Sequence, residues 1–234
     1  MNPLSRNLRR LSTTNISSSI RYTGIAGTYK DLASWIEHHP HLFKTKTAFL
    51  WLGNTMANMS PSEATITITM LANALPTCVR HLTTFILGLD ACHDQARISQ
   101  AYTSTKTREW AMNALNHANQ LIGYTILSPD DWCLQDEYHK ETSCFRLGFR
   151  AQRDLELWLD DGKILFKAGD LLPLAQSRKW SSIDLDGILR FSNFKVFERW
   201  SDETKFYSKT SVESLSEIRG IYKLTSIRLF CNQL

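Results

Sequence analysis

The stretch that most restricts the fold is Phe49-Leu50-Trp51-Leu52-Gly53-Asn54-Thr55-Met56-Ala57-Asn58, together with the helix start and second apolar run on its carboxyl side. Behind Thr45-Lys46-Thr47, the apolar run predicts a buried strand over 47–52. It breaks into a turn of small residues, and Ser60-Pro61-Ser62-Glu63 then has the composition of a helix start. Ser60 can cap, Pro61 suits the first helical position, and Glu63 stands where a capping box puts its carboxylate. The helix is expected over 61–75, although Thr and Ile at 65–69 lower its intrinsic propensity. A second apolar run, Thr84-Phe85-Ile86-Leu87-Gly88-Leu89-Asp90, predicts a strand over 83–89 ending in an acidic turn. Strand, helix and strand in this order predict a right-handed βαβ unit with parallel strands. Such units present ligand-binding residues at the carboxyl ends of their strands, here the turn from Gly53 to Asn58.

The remaining chain alternates between helical and strand patterns. Residues 1–30 carry Arg6, Arg9, Arg10, Arg21 and Lys30 with no Asp or Glu, and Ser and Thr are dense between Ser12 and Ser19. That composition fits a mitochondrial transit peptide. It also fits a surface helix with Leu4, Leu8 and Leu11 on one face, followed by a strand over 19–24; this second reading is preferred. A helix over 31–43 should end at His39, before Pro40. The neighbouring His38, His39 and His41 are read as a solvated helix end, because His38 and His39 point to different faces and no carboxylate or thiol stands at ligand spacing. A helix starts near His93-Asp94 and runs to Gln100. The strongest helical period covers 107–122, with Trp110, Ala114, Leu115, Ala118, Leu121 and Ile122 in phase and Gly123 placed to end it. From Asp131 short strands are expected at 132–138, 144–151, 154–159 and 164–166, with Asp160-Asp161-Gly162-Lys163 as a hairpin turn. Ser181-Ser182-Ile183-Asp184 begins a last helix before a strand pair at 195–200 and 206–208.

Bulk properties exclude several classes. A net charge of +4, carried by scattered Lys and Arg, does not make the clustered basic and aromatic surface of a nucleic-acid binder. No apolar run approaches a membrane span. Cys78, Cys92, Cys133, Cys144 and Cys231 are odd in number and contain no C-x-x-C pair, which points to reduced thiols in an intracellular compartment and to no zinc site. A cytoplasmic location is expected, with mitochondrial targeting as the alternative.

Five segments, read in order, carry a family resemblance: Gly24-Ile25-Ala26-Gly27-Thr28-Tyr29-Lys30-Asp31-Leu32, the 49–58 run, Thr84 to Cys92, Ala101-Tyr102 with Thr107-Arg108-Glu109-Trp110, and Asn113-Ala114-Leu115-Asn116-His117-Ala118-Asn119. Together they resemble the S-adenosylmethionine-dependent amino acid α-N-methyltransferases over residues 19–207. That family includes the histidine trimethylase of ergothioneine synthesis and the fungal 4-dimethylallyltryptophan N-methyltransferase. The resemblance implies an α/β fold, a partial Rossmann-like methyltransferase sheet with an inserted α+β substrate-binding subdomain. The divisions expected are 1–95 for the sheet domain, completed by 178–208, then 96–177 for the insertion and 209–234 for an unmatched tail of a short helix and a strand.

The resemblance also implies roles. Asn58 matches a residue that binds the α-amino or carboxylate end of the substrate, Gly53 a glycine that lets the chain pass close to it, and Tyr102 a substrate-contacting tyrosine. As plain structure, Asn58 would be a turn residue and Tyr102 a packed core ring. Thr28 and Tyr29 match a pair beside the adenine of the cofactor. In Leu174-Ala175-Gln176-Ser177-Arg178-Lys179-Trp180, Ser177 matches a substrate-site serine, and Ala175 stands where the histidine-specific branch has a carboxylate. Ala175 cannot pair with an imidazolium, and Leu147 replaces another pocket residue with an apolar one. The pattern therefore implies an indole-bearing, tryptophan-derived substrate, with histidine as the alternative. No catalytic nucleophile or metal is expected, because methyl transfer to an amine rests on proximity and orientation.

The family's Gly-rich first loop under S-adenosylmethionine and its ribose-binding carboxylate are not found in these residues. The expectation is an N-terminally truncated, catalytically impaired member with weak cofactor affinity. Its strand at 47–52 would have one unpaired edge, open to a chain that completes the sheet.

Overall fold

The structure, a computed structural model, describes residues 23–203 and 206–214 and the backbone of 227–230. The helix expected around Leu4–Leu11, the body of the strand over 19–24, the helix of the tail and Cys231 lie outside the described residues; Thr23 and Gly24 have no regular structure.

The first layer is a mixed sheet. Strands β1 (Thr47–Trp51) and β2 (Thr83–Asp90) lie side by side in parallel, with Phe49 opposite Phe85, as the βαβ reading requires. Between them run α2 (Pro61–Ala74) and a one-turn helix, α3 (Thr77–Arg80). Ser60 and Glu63 close a complete capping box at the start of α2. The Thr-rich turn of α2 holds because Thr65 and Thr67 donate their hydroxyls back to the carbonyls of Pro61 and Glu63, while Thr67 and Ile68 are buried. Before β1, α1 (Tyr29–His38) buries Leu32 and Ile36, and His38 and His39 turn Nδ1 to the carbonyls of Ser34 and Trp35. The sheet continues past β2 into two antiparallel strands, β9 (Tyr207–Ser214) and then β8 (Phe194–Ser201), preceded by α6 (Ser182–Phe191). Phe49 stacks on Phe85, and Phe85 meets Phe194 edge-on, at the centre of a core that takes in α1, α2 and α6.

A second core covers the middle of the chain. Helices α4 (Gln95–Tyr102) and α5 (Thr105–Ile122) bury Ile98, Ala111 and Leu115 against an antiparallel sheet of β3 (Trp132–His139), β4 (Cys144–Ala151) and β7 (Leu171–Arg178). The hairpin β5 (Leu155–Leu159) and β6 (Gly162–Phe166) adds Leu155 and Leu157. The α/β class read from the sequence is the class observed.

Three expectations need correction. First, β7 is a strand that the sequence pattern does not announce. Pro173 interrupts its hydrogen-bond ladder, and the register shifts between Leu147 and Gly148, so that Gly148 faces Pro173 and Leu147 faces Ala175. The extra residue, Leu174, puts Leu172 and Ala175 on one face although they are three positions apart. Second, 209–214 are not tail: they extend β9 between β2 and β8, and the polar Lys209-Thr210-Ser211 hides the segment from a search for apolar runs. Third, the outer edge of β1 is not open. Strand β10 (Ile227–Phe230) pairs with it in parallel, Ala48 opposite Ile227, so backbone groups that would stand unpaired find partners within the chain.

Gly148 is fixed by close approach. A Cβ there would lie 2.7 Å from the carbonyl oxygen of Leu172. Replacing Gly148 by alanine should therefore push β4 and β7 apart and cost about 1–3 kcal/mol. This is read as a lower urea midpoint by circular dichroism; an unchanged midpoint would mean that the bulge relaxes freely.

Candidate functional site

The carboxyl end of β1 opens a cleft between the two cores. Trp51 donates its indole N–H to the hydroxyl of Thr55 at 2.8 Å, which ties the strand to the short 3-10 turn over Thr55–Asn58. Two residues bend the chain between them: Gly53 at φ +80° and Asn54 at φ +61°. Glycine is the residue suited to the first of these, and asparagine tolerates the second. Asn54 also accepts the backbone N–H of Asp90 at 2.9 Å, which pins the turn to the carboxyl end of β2. From the other side, Gln176 of β7 donates to the carbonyl of Asn58 at 2.8 Å. The turn is thus held by both layers.

The resulting cleft encloses about 490 Å³. Its lining brings together all six residues expected at a substrate site: Gly53, Asn58, Tyr102, Leu147, Ala175 and Ser177. Asn58 is exposed, and its side-chain amide has no hydrogen-bond partner among the described residues, so it is not the self-satisfied turn asparagine that plain structure would predict. Phe145 stacks on Tyr102 with ring centroids 4.2 Å apart. Trp110 and Lys106 from α5 complete the wall, and both are exposed. The lining contains no Asp or Glu.

Thr28 and Tyr29, expected beside a cofactor, stand apart from this lining. The Thr28 hydroxyl is committed to the α1 capping box: it donates to Asp31 at 2.7 Å and accepts the Asp31 N–H at 3.3 Å. Tyr29 packs its ring on Trp51 at 5.2 Å. Both residues thus make contacts within their own surroundings, with Thr28 exposed and Tyr29 half-buried. No group of three or more metal-ligating side chains occurs among the described residues.

Beneath Tyr102 and Ser177 lies an ion pair between a buried lysine and a half-buried aspartate that the sequence reading does not single out. Lys179, 1% exposed, donates to Asp90, to the Tyr102 hydroxyl at 3.1 Å and to the Ser177 hydroxyl at 3.2 Å. Tyr102 in turn donates to Ser177 at 2.8 Å. Burial pulls the Lys179 ammonium down, but its hydrogen bonds to Asp90 and Tyr102 outweigh that and hold it above its ordinary value of 10.5. A signal was available: in an extended segment Lys179 shares a face with Ser177 and Ala175, and a buried lysine needs an acid, which the end of β2 supplies.

The family described as histidine-specific methyltransferase, SAM-dependent, matches residues 2–214. The chain belongs to that family. The match runs beyond both ends of the 19–207 expected from motifs, so only the residues after β9, together with Met1, fall outside it. N-methyltransferase imqF of Aspergillus flavus is 29% identical over 197 residues, 82% of this chain and 52% of that protein. Ergothioneine biosynthesis protein 1 of Neurospora crassa is 26% identical over 186 residues, 78% of this chain and 20% of that protein. The 4-dimethylallyltryptophan N-methyltransferase easF of Claviceps fusiformis is 29% identical over 133 residues, 51% of this chain and 38% of that protein. The chain spans about half the length of relatives such as imqF.

Because the folded-state value of Lys179 is raised, the stability it contributes is complete below pH 10.5 and is lost as pH rises through the higher folded value. Urea denaturation should show a loss of stability in that alkaline window that is missing in Lys179→Met. The same variant should be less stable at neutral pH by about 1–3 kcal/mol, since the half-buried Asp90 loses its charged partner.

Proposed function

We propose that this chain forms the acceptor side of an S-adenosylmethionine-dependent N-methyltransferase, binding an amino acid with a bulky aromatic side chain at its α-amino end. The substrate class that fits is a tryptophan derivative such as 4-dimethylallyltryptophan. The observation that carries this reading is the cleft lining: six expected residues converge there, with Trp110 and Phe145, and no carboxylate among them. An imidazolium would be desolvated in this cleft without a counter-charge, whereas an indole needs none. Asn58 presents a free amide to the amino acid end, and Lys106 offers the one positive charge on the wall for a substrate carboxylate. The names of the easF and imqF relatives agree in chemical class with amine methylation.

S-Adenosylmethionine would supply the electrophilic methyl. The cleft residues bind and orient the acceptor amine. A second reading, a family member that binds the acceptor without transferring a methyl group, is favoured by the engagement of Thr28 and Tyr29 elsewhere.

Calorimetry should show L-tryptophan or its 4-prenylated derivative binding at least about tenfold more tightly than L-histidine, a difference of ~1.4 kcal/mol. Ala175→Glu should reverse that order. Tighter histidine binding by the unmodified chain would remove the substrate assignment. Equilibrium dialysis with S-adenosylmethionine alone should show no micromolar binding; finding it would overturn the second reading and place a cofactor cradle on residues other than Thr28 and Tyr29.

A further inference from the structure

Counting protons fixes the polarity of the cleft floor. An ammonium has three N–H donors and no acceptor. Those of Lys179 go to Asp90, Tyr102 and Ser177, so both hydroxyl oxygens must turn a lone pair toward it. The proton of Tyr102 goes to Ser177. The Ser177 oxygen then has both lone pairs occupied, and only its O–H remains to be given. Tyr102 has given its proton, and only acceptor capacity remains. The floor of the cleft therefore presents one donor, Ser177, and one acceptor, Tyr102. Stacking on Phe145 keeps the Tyr102 ring in place independently of the ion pair.

We propose that Lys179 is a positioning residue which, by holding Tyr102 as an acceptor and Ser177 as a donor, makes the cleft select the neutral amine of its amino acid ligand over the ammonium form. The inference rests on the acceptor reading of the cleft and adds a protonation state to it. An amine nitrogen hydrogen-bonded to the Tyr102 oxygen lies about 3 Å from it and so within roughly 6 Å of the Lys179 nitrogen. A like charge at that range disfavours the ammonium. Tyr102 can accept an N–H without attracting a positive charge as a carboxylate would. The neutral form is the one whose lone pair is free to receive a methyl group.

The titratable groups at this end of the cleft are few. Asp90 comes from β2, Lys106 from α5, Tyr102 from α4, and Lys179 follows β7. The turn over 53–58 and the lining residues of β4 bring none. Asp90 is the carboxylate among them, and both of its oxygens are engaged: one accepts from Lys179, the other from the Cys92 N–H at 2.9 Å. The raised value of Lys179 keeps the ammonium charged through the neutral range.

The test is the pH dependence of binding, measured by calorimetry on the full chain with L-tryptophan and with indole-3-propionate, which lacks the amine. For the unmodified chain, tryptophan affinity should rise about tenfold per pH unit while the free amine is mostly protonated. Indole-3-propionate affinity should stay flat. In the double variant Asp90→Asn/Lys179→Met, which removes both charges together and strands neither, the tryptophan slope should fall below about twofold per unit. Tyr102→Phe, which leaves the Lys179 charge in place, should weaken tryptophan binding and keep the slope. A merely structural role for Lys179 would weaken binding at every pH and leave the slope unchanged. Tryptophan binding with no slope in the unmodified chain, or an undiminished slope in the double variant, overturns the inference while the acceptor reading stands. No tryptophan binding at any pH overturns both.

Discussion

The contact on which the site depends is the ion pair between Lys179 and Asp90. Asp90 ends a central strand of one layer, and Lys179 follows the last strand of the other, so this part-buried ion pair helps fasten the two cores where the cleft opens. The backbone reinforces it: Trp180, the next residue, donates its N–H to the carbonyl of Asp90 at 3.1 Å. A pair of this kind adds little stability over an apolar substitute, because desolvation of the buried lysine offsets the attraction. Its value here is directional. Three donors at a fixed point decide which way two cleft hydroxyls face.

The turn from Gly53 to Asn58 complements that anchor. It is held by Trp51 from behind, by the Asp90 backbone below and by Gln176 across the cleft. Substrate-facing groups therefore rest on strand ends and on a cross-linked turn. This arrangement suits a reaction in which the protein contributes placement and no covalent chemistry. Thr28 and Tyr29 offer the contrast. Both stand where family pattern would put a cofactor contact, yet capping and ring packing already occupy them.

Much of this is legible locally. The apolar runs at 47–52 and 83–89, the Ser60–Glu63 capping box and the Gly123 stop of α5 each follow from rules that act over a few residues, and the observed elements agree within a residue or two. The six cleft residues are found through motif resemblance, and their convergence then follows from the layering. The elements that escape are set by partners distant in sequence. β7 carries a proline and a bulge and buries little, so nothing local marks it as a strand until β4 lies beside it. The polar 209–214 become a central strand because β2 and β8 enclose them.

The sequence alone determined the α/β character, the parallel strand pair and the position of the turn at its carboxyl end, because periodicity and capping are short-range effects. Only the tertiary structure decided that β10 closes the edge of β1 and that Lys179 is buried on Asp90 beneath Tyr102 and Ser177. Both are pairings between segments far apart in the chain. An unpaired strand edge or a buried charge specifies that a partner is needed, and only the folded arrangement specifies which one.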